Sequence, residues 1–368
     1  MLIISIVPRL PPAIDGVGDY ALNLASQLRK DFAIETHFLV CDPNWTGAKN
    51  IEGFAVSKLT VRSASKLLSL LSPDISTVLL HYVGYGYNKR GCPVWLVKGL
   101  ERWKSSITNA RLVTMFHEIS ASGPIWTSAF WLSRLQITLA TRLVQLSDRC
   151  LTSKQFYAEI LHKLSRGQHK EILAMPVFSS IAEPQQVLPL AERQRHLVVF
   201  GGSRNRLQVY QNSSAMLNRT CELLGIEKIL DIGPPVNLNL SSFKSVPIVE
   251  MGKQPAAKIS EILLNSQVGF LNYNPDYLAK STIFAAYCAH GLLTVSAHCS
   301  TLPIDGIEPE KHYWLSDEQT AECKSGAELQ AIANNAYAWY QSHNLSVQAQ
   351  TFAQFLIKSS PTVVGQKL

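Results

Sequence analysis

The 368-residue sequence lacks any apolar run long enough to cross a membrane. Its apolar start, MLIISIV, is seven residues long, has no basic residue before it and runs into PRLPP. That pattern predicts a buried first strand and not a signal peptide, so the chain is expected in the cytoplasm. Cysteine pairing is also missing. The seven cysteines (Cys41, Cys92, Cys150, Cys221, Cys288, Cys299, Cys323) are scattered, odd in number and without a C-x-x-C pair, which argues against disulfides and a zinc site. No Asp-x-Asp pair is present to hold a divalent ion, and no metal is expected. There is no low-complexity tract and no internal repeat. No Arg/Lys-rich run with interleaved aromatics occurs, so nucleic acid is not expected as a partner.

What is present is a globular composition. Apolar residues make up 46% and charged residues 17%, enough for a sizeable core over about two domains. The net charge of +7 is lopsided: residues 1–180 hold 20 basic and 12 acidic side chains, residues 181–368 hold 14 and 15. An excess of +8 in the first half suits an anionic membrane or a phosphorylated substrate.

Short apolar runs alternate with helical patterns. Strands are predicted at Leu2–Val7, Glu35–Val40, Thr77–Tyr82, Leu112–His117 and Arg149–Thr152, with a weaker one at Glu171–Met175. Residues 179–195, SSIAEPQQVLPLAERQR, are polar and proline-bearing and mark a domain boundary. The alternation restarts with strands at His196–Phe200, Lys228–Ile232, Pro247–Glu250, Val268–Asn272 and Leu293–Ser296. Helices are predicted at Val209–Leu224, Pro255–Asn265, Ser281–His290, Ala327–Tyr340 and Val347–Ile357. The fold class is therefore α/β, two doubly wound parallel-sheet domains (1–185 and 190–344) facing a cleft.

Four segments carry chemistry. In residues 8–28, Gly16-Val17-Gly18 precedes a periodic helix, with Asp19 placed to cap it or to enter its first turn. Glycines at a helix start allow a phosphate or sugar to approach the backbone. The same residues spell Gly16-x-Gly18-x-x-Ala21, a dinucleotide fingerprint, but eight residues with three prolines separate them from the strand. In LVTMFHEI (112–119), His117 and Glu118 stand at the carboxyl end of a strand, as His81 and Tyr82 do at another. In VVFGGSRNRLQVY (198–210), Arg204 and Arg206 follow Gly201-Gly202, a pattern that suits a diphosphate. In residues 268–296, Lys280, Ser281 and Thr282 open a helix, where a basic side chain and amides suit a phosphate.

Together these segments resemble the family-four retaining glycosyltransferases of the GT-B fold, along nearly the whole chain. "GVGDYALNLASQL" looks like that family's first glycine loop and helix, "FHE" like its histidine motif, and "VVFGGSRNR" like its donor clamp. "AAYCAHGLLTVS" looks like its donor-site helix, turn and strand. "WYQSHNLSVQAQTFAQFL" looks like the final helix, which in that family crosses back onto the first domain, so residues 345–368 are expected to complete it. Counting back from Gly291, Leu278 and Ala286 stand where the family shows two glutamates eight positions apart. The resemblance implies transfer of a sugar from a nucleoside diphosphate sugar to an acceptor hydroxyl on a glycan, glycolipid or small molecule, with no cofactor besides that donor substrate. His117, Lys280 and Arg204 would act at the reacting centre. Gly16, Gly18, Arg206, Ser281, Thr282 and Glu118 would bind the donor. A nucleotide binder without turnover and an NAD(P)-dependent oxidoreductase stay open on the sequence alone.

Two tryptophan-bearing helices in the basic half suggest peripheral contact with the inner membrane face, and with it a lipid-linked acceptor. In residues 94–104, Trp95, Lys98 and Arg102 share one face, and Leu96, Gly99, Leu100 and Trp103 another. Residues 125–142 add Trp126, Trp131, Arg134 and Arg142.

Overall fold

A computed structural model describes residues 1–71, 74–121, 124–236, 246–316 and 324–357. The chain divides into two compact units, one formed by residues 1–175 with the segment from Leu345 onward, the other by residues 176–344. The break falls at Met175, ahead of the proline-bearing stretch. That stretch packs on unit 2, where Val177 donates its amide to the Ala279 carbonyl and Ser179 to the Tyr340 hydroxyl.

Unit 1 runs β1 (Leu2–Val7), α1 (Gly16–Phe32), β2 (Glu35–Val40), β3 (Asn50–Ile51), β4 (Phe54–Lys58), α2 (Ala64–Leu70) and β5 (Thr77–Tyr82). It continues with α3 (Gly84–Tyr87), α4 (Val94–Ser106), β6 (Arg111–Phe116), α5 (Ser128–Leu146), β7 (Arg149–Thr152), α6 (Gln155–Leu164) and β8 (Leu173–Ala174). The sheet order is β3-β4-β2-β1-β5-β6-β7-β8, parallel except for the β3–β4 hairpin. The strands read as nearly unbroken apolar runs because helices cover both faces. Trp103, Leu100 and Leu96 of α4 lie in the larger core with Leu139 and Leu143 of α5. Tyr82, Val97 and Phe116 are in the same cluster.

Unit 2 runs β9 (Gln194–Phe200), α7 (Ser203–Asn212), α8 (Ser214–Leu224), β10 (Lys228–Ile232), β11 (Ile248–Gly252), α9 (Ala256–Asn265), β12 (Ser266–Leu271), α10 (Thr282–Ala289), β13 (Leu293–Ser296) and α11 (Gly326–Gln341). Its strands are parallel in the order β11-β10-β9-β12-β13. The long helix predicted over Val209–Leu224 is two helices meeting at Ser213. The last helix, α12 (Leu345–Leu356), belongs to unit 1. It packs along α1 and buries Ala349, Phe352, Ala353 and Leu356. Arg111 donates from Nε to its Phe355 carbonyl at 2.5 Å. Among the described residues no helix is long and apolar enough to cross a membrane.

Candidate active site

Each unit is a doubly wound sheet whose strand order reverses once. In unit 1 the chain leaves β1 toward β2 on one side and returns to β5 on the other; in unit 2 the reversal lies between β9 and β12. Loops at such a reversal diverge to opposite faces, and the crevice at the carboxyl ends of the two strands is where such sheets hold ligands.

In unit 1 that crevice is bounded by residues 8–18 and by the end of β5. The first loop is pinned. Arg9 Nε donates to Asp42 at 2.8 Å, and the Trp45 indole donates to the Leu10 carbonyl at 2.7 Å. Gly18 is required by close approach: a Cβ there would stand 2.3 Å from the Arg9 carbonyl oxygen, whereas one at Gly16 meets nothing within 4 Å. The helix cap is Asp15 and not Asp19. Its carboxylate accepts from the amides of Val17 at 3.0 Å and Gly18 at 3.1 Å. Two amides expected to face a phosphate are thus already held by an acid. Asp19 stands in the same first turn, its pKa raised to about 6 by burial and by nearby Asp15.

His81 and His117 lie at adjacent strand ends, where the His117 amide continues the ladder to the Tyr82 carbonyl at 2.9 Å. Their rings stack, with Nδ1 of His81 3.2 Å from Nε2 of His117. The Tyr20 ring meets both edge-on, and its hydroxyl donates to Gln348 of α12 at 2.6 Å. His81 is fully buried, and burial lowers its pKa to about 3, so the ring is neutral. Its Nε2 has no hydrogen-bond partner among the described residues. A buried bare N–H costs more than a bare lone pair. The proton therefore sits on Nδ1 and is donated to His117, whose own proton is left on Nδ1. Glu118 follows, half-buried.

In unit 2 the reversal between β9 and β12 carries a cavity of about 700 Å³, within the usual range for a small-molecule site. It is lined by Arg204, Asn205 and Gln208 of α7, by residues 272–275 and Tyr277 after β12, and by His298 and Cys299 after β13. Asn272 holds the wall together. Its amide donates to Ser213 Oγ at 2.6 Å, and its oxygen lies 3.1 Å from His298 Nε2. Arg204 is exposed into this space. Lys280 is not among the lining residues; it is half-buried, with its ammonium 5.9 Å from the ring centroid of Tyr277. Ser281 caps α10, accepting from the Phe284 amide at 3.2 Å, and Thr282 is its first residue.

Arg206 departs from its expected place. It is 1% exposed, ion-paired with Asp231, and donates from Nε to the Gly201 carbonyl at 3.0 Å. Tyr210 donates to the other oxygen of Asp231 at 2.7 Å. Burial pushes the Asp231 carboxyl up, against the pull of Tyr210 and Arg206. The physical reason is spacing: residues two apart on a helix face nearly opposite ways, so Arg204 and Arg206 cannot both reach one ligand. Arg206 braces the wall of the cavity from beneath. Sequence reasoning assigns no role to Tyr20, Gln348, Asp231, Asn272 or His298; of these, only Asn272 and His298 stand just past strand ends, where a ligand-facing residue can be sought. Leu278 and Ala286 are both buried.

No protein-family model matches the chain, and no curated protein matches it in sequence. Solved structures do match along the whole length. An α-glucosyltransferase in complex with UDP-glucose and DNA containing an abasic site is 12% identical, with a TM-score of 0.61 over 96% of this chain and 98% of that one. OtsA in its apo form is 12% identical, with a TM-score of 0.59 over 98% and 100%. WaaG, a glycosyltransferase involved in lipopolysaccharide biosynthesis, is 11% identical, with a TM-score of 0.56 over 97% and 100%. At such identity the likeness shows the fold, and that fold is GT-B: two Rossmann-like parallel-sheet domains. One expectation is corrected. Nucleic acid is not excluded, because a protein of this architecture is solved with DNA. DNA is gripped largely through phosphates by basic residues dispersed over a folded surface, which need not form a run in sequence.

Proposed function

We propose that the chain is a glycosyltransferase of the retaining, family-four type, moving a sugar from a nucleoside diphosphate sugar to an acceptor hydroxyl. The observation that carries the reading is the cavity at the strand-order reversal of unit 2, with Arg204 exposed into it. Its support is the shared fold of proteins solved with UDP and UDP-glucose.

When the bond between the sugar and the diphosphate breaks, negative charge gathers on the departing diphosphate. Arg204 and Lys280, with Ser281 and Thr282 at the start of α10, stabilise that charge in this reading. A divalent ion is then not required. His117, its tautomer fixed by His81, offers a hydrogen bond to a sugar hydroxyl. Glu118 and the Gly16–Gly18 loop complete the sugar contacts. In this reading the activity is cytoplasmic.

The test is calorimetric titration of a nucleoside diphosphate panel, UDP first, into the wild type, Arg204→Ala and Lys280→Ala, with the matching nucleosides as controls. Loss of a charge-assisted phosphate contact weakens diphosphate binding about 10- to 100-fold and leaves the nucleoside unchanged. A wild type that binds no nucleoside diphosphate sinks the proposal. Release of the nucleoside diphosphate from the nucleotide sugar is then followed with duplex DNA, a glycan and a glycolipid as acceptor arms. Leu278 and Ala286, standing where the resembled family shows glutamates, favour one second reading: a binder without turnover. Tight binding with no release in any arm would select it.

A further inference from the structure

The first two turns of α5 bury nothing. No residue from 128 to 135 is buried, while Gln136, Leu139, Ala140, Leu143 and Val144 anchor the rest of the helix. Yet this free end carries Phe130, Trp131 and Leu135, and the turn before it carries Ile125 and Trp126. Trp126 is 81% exposed, Trp131 72% and Ile125 62%. A helix end with no core to cover gains nothing within the fold from such side chains, and a large apolar cluster in water marks an interaction surface.

Charge says what covers it. No Asp or Glu occurs from residue 119 to residue 147. Arg134 is exposed on the same two turns. Exposed Lys89 and Arg90 stand alongside, because Gln136 of α5 donates to the Arg90 carbonyl at 3.1 Å. Arg142 takes no part, since it is held by Glu101 through two bonds of 2.8 and 2.6 Å. The α4 face expected to meet headgroups is also reduced, because Trp95 packs against the core edge-on to Tyr87. What remains is an apolar tip flanked by cations. Two copies of such a surface repel each other, and aliphatic Ile125 and Leu135 gain nothing against a phosphate backbone.

We infer that residues 124–127 and the first two turns of α5 insert into an anionic phospholipid surface, with Trp126 and Trp131 at the headgroup level and Lys89, Arg90 and Arg134 against the lipid phosphates. This contact lies outside the sugar-transfer reading and needs no nucleotide.

The test uses the full chain with vesicles of phosphatidylcholine, alone or with about one third phosphatidylglycerol. The wild type cosediments with the anionic vesicles at low salt, less so at high salt, and its tryptophan emission shifts to the blue. W126A/W131A loses at least about tenfold in partitioning, and K89Q/R90Q loses the preference for anionic lipid. Both variants keep the wild-type melting temperature, since the replaced side chains are exposed. Absence of wild-type binding to anionic vesicles overturns the inference, as does undiminished binding by W126A/W131A. Duplex DNA that binds through the same tryptophans, with no vesicle binding, gives the patch to nucleic acid and overturns it too.

Discussion

Acid should loosen this protein well above the range where carboxylates titrate. Three histidines are buried in neutral form: burial lowers His81 to about 3, and His290 and His343 to about 4. His290 shows why. Its Nδ1 lies 2.7 Å from the Ala286 carbonyl and its Nε2 2.8 Å from Ser260 Oγ. The neutral ring donates to the first and accepts from the second, and a second proton removes the acceptor. Unfolded, each titrates near its ordinary value of about 6.5. Between the folded and unfolded values the unfolded state binds more protons, so stability rises with pH there and falls as pH drops below about 6.5. From about pH 7.5 to about pH 5.5 each histidine removes roughly 1.3 kcal/mol. That figure depends on the unfolded pKa and not on how far the folded one is depressed. Three such groups remove about 4 kcal/mol, a large part of a typical stability. Asp19 and Asp231, both raised, act in the opposite sense, so the histidines must be isolated by substitution. Chemical denaturation across this range, on the wild type, His290→Gln and His343→Gln, supplies the slopes. Each variant is expected to lose about 1.1 kcal/mol per pH unit of slope between about pH 6 and pH 5.5, whatever its stability at neutral pH. Variants whose slope is unchanged from the wild type would refute the reasoning.

Arg206→Ala is expected to destabilise by about 3–5 kcal/mol, because Asp231 is left buried with Tyr210 alone; Arg206→Met with Asp231→Asn should recover part of it. Denaturant midpoints decide, and a loss below about 1 kcal/mol removes the bracing role. Gly18→Ala should cost about 1–3 kcal/mol by pushing against the Arg9 carbonyl, while Gly16→Ala, with open space around its Cβ, should be neutral or slightly stabilising. Equal melting temperatures for the two would contradict the close approach. Nitrogen-15 spectra of the histidine rings are expected to show His81 protonated at Nδ1 alone down to about pH 5. An Nδ1 free of hydrogen would reverse the donor and acceptor roles assigned to the pair.

The strands of both sheets were legible because parallel strands covered on both faces must be short unbroken apolar runs, and β1, β5 and β13 stand at the predicted residues. The β3–β4 hairpin was not, since its first strand has only Asn50 and Ile51 and sits in polar surroundings. The break at Ser213 was hidden because apolar spacing continues through it from Val209 to Leu224. At the site, His117 could be placed from its position past a strand. Its neighbours Tyr20 and Gln348 could not, because they are 328 residues apart and only the return of α12 joins them. The fate of Arg206 turned on Asp231, a lone acid inside an apolar strand whose partner lies on another element.

The position of α12 has a consequence for how the chain is made. A ribosome delivers unit 2 in full before the helix that finishes unit 1 emerges. Until then the apolar stripe of α1 lacks Phe352 and Leu356, the Tyr20 hydroxyl lacks Gln348, and Arg111 lacks the Phe355 carbonyl. The nascent first unit must wait with part of its core in water. A premature stop near residue 344 would spare every element of the nearest unit and cripple the one most distant in sequence.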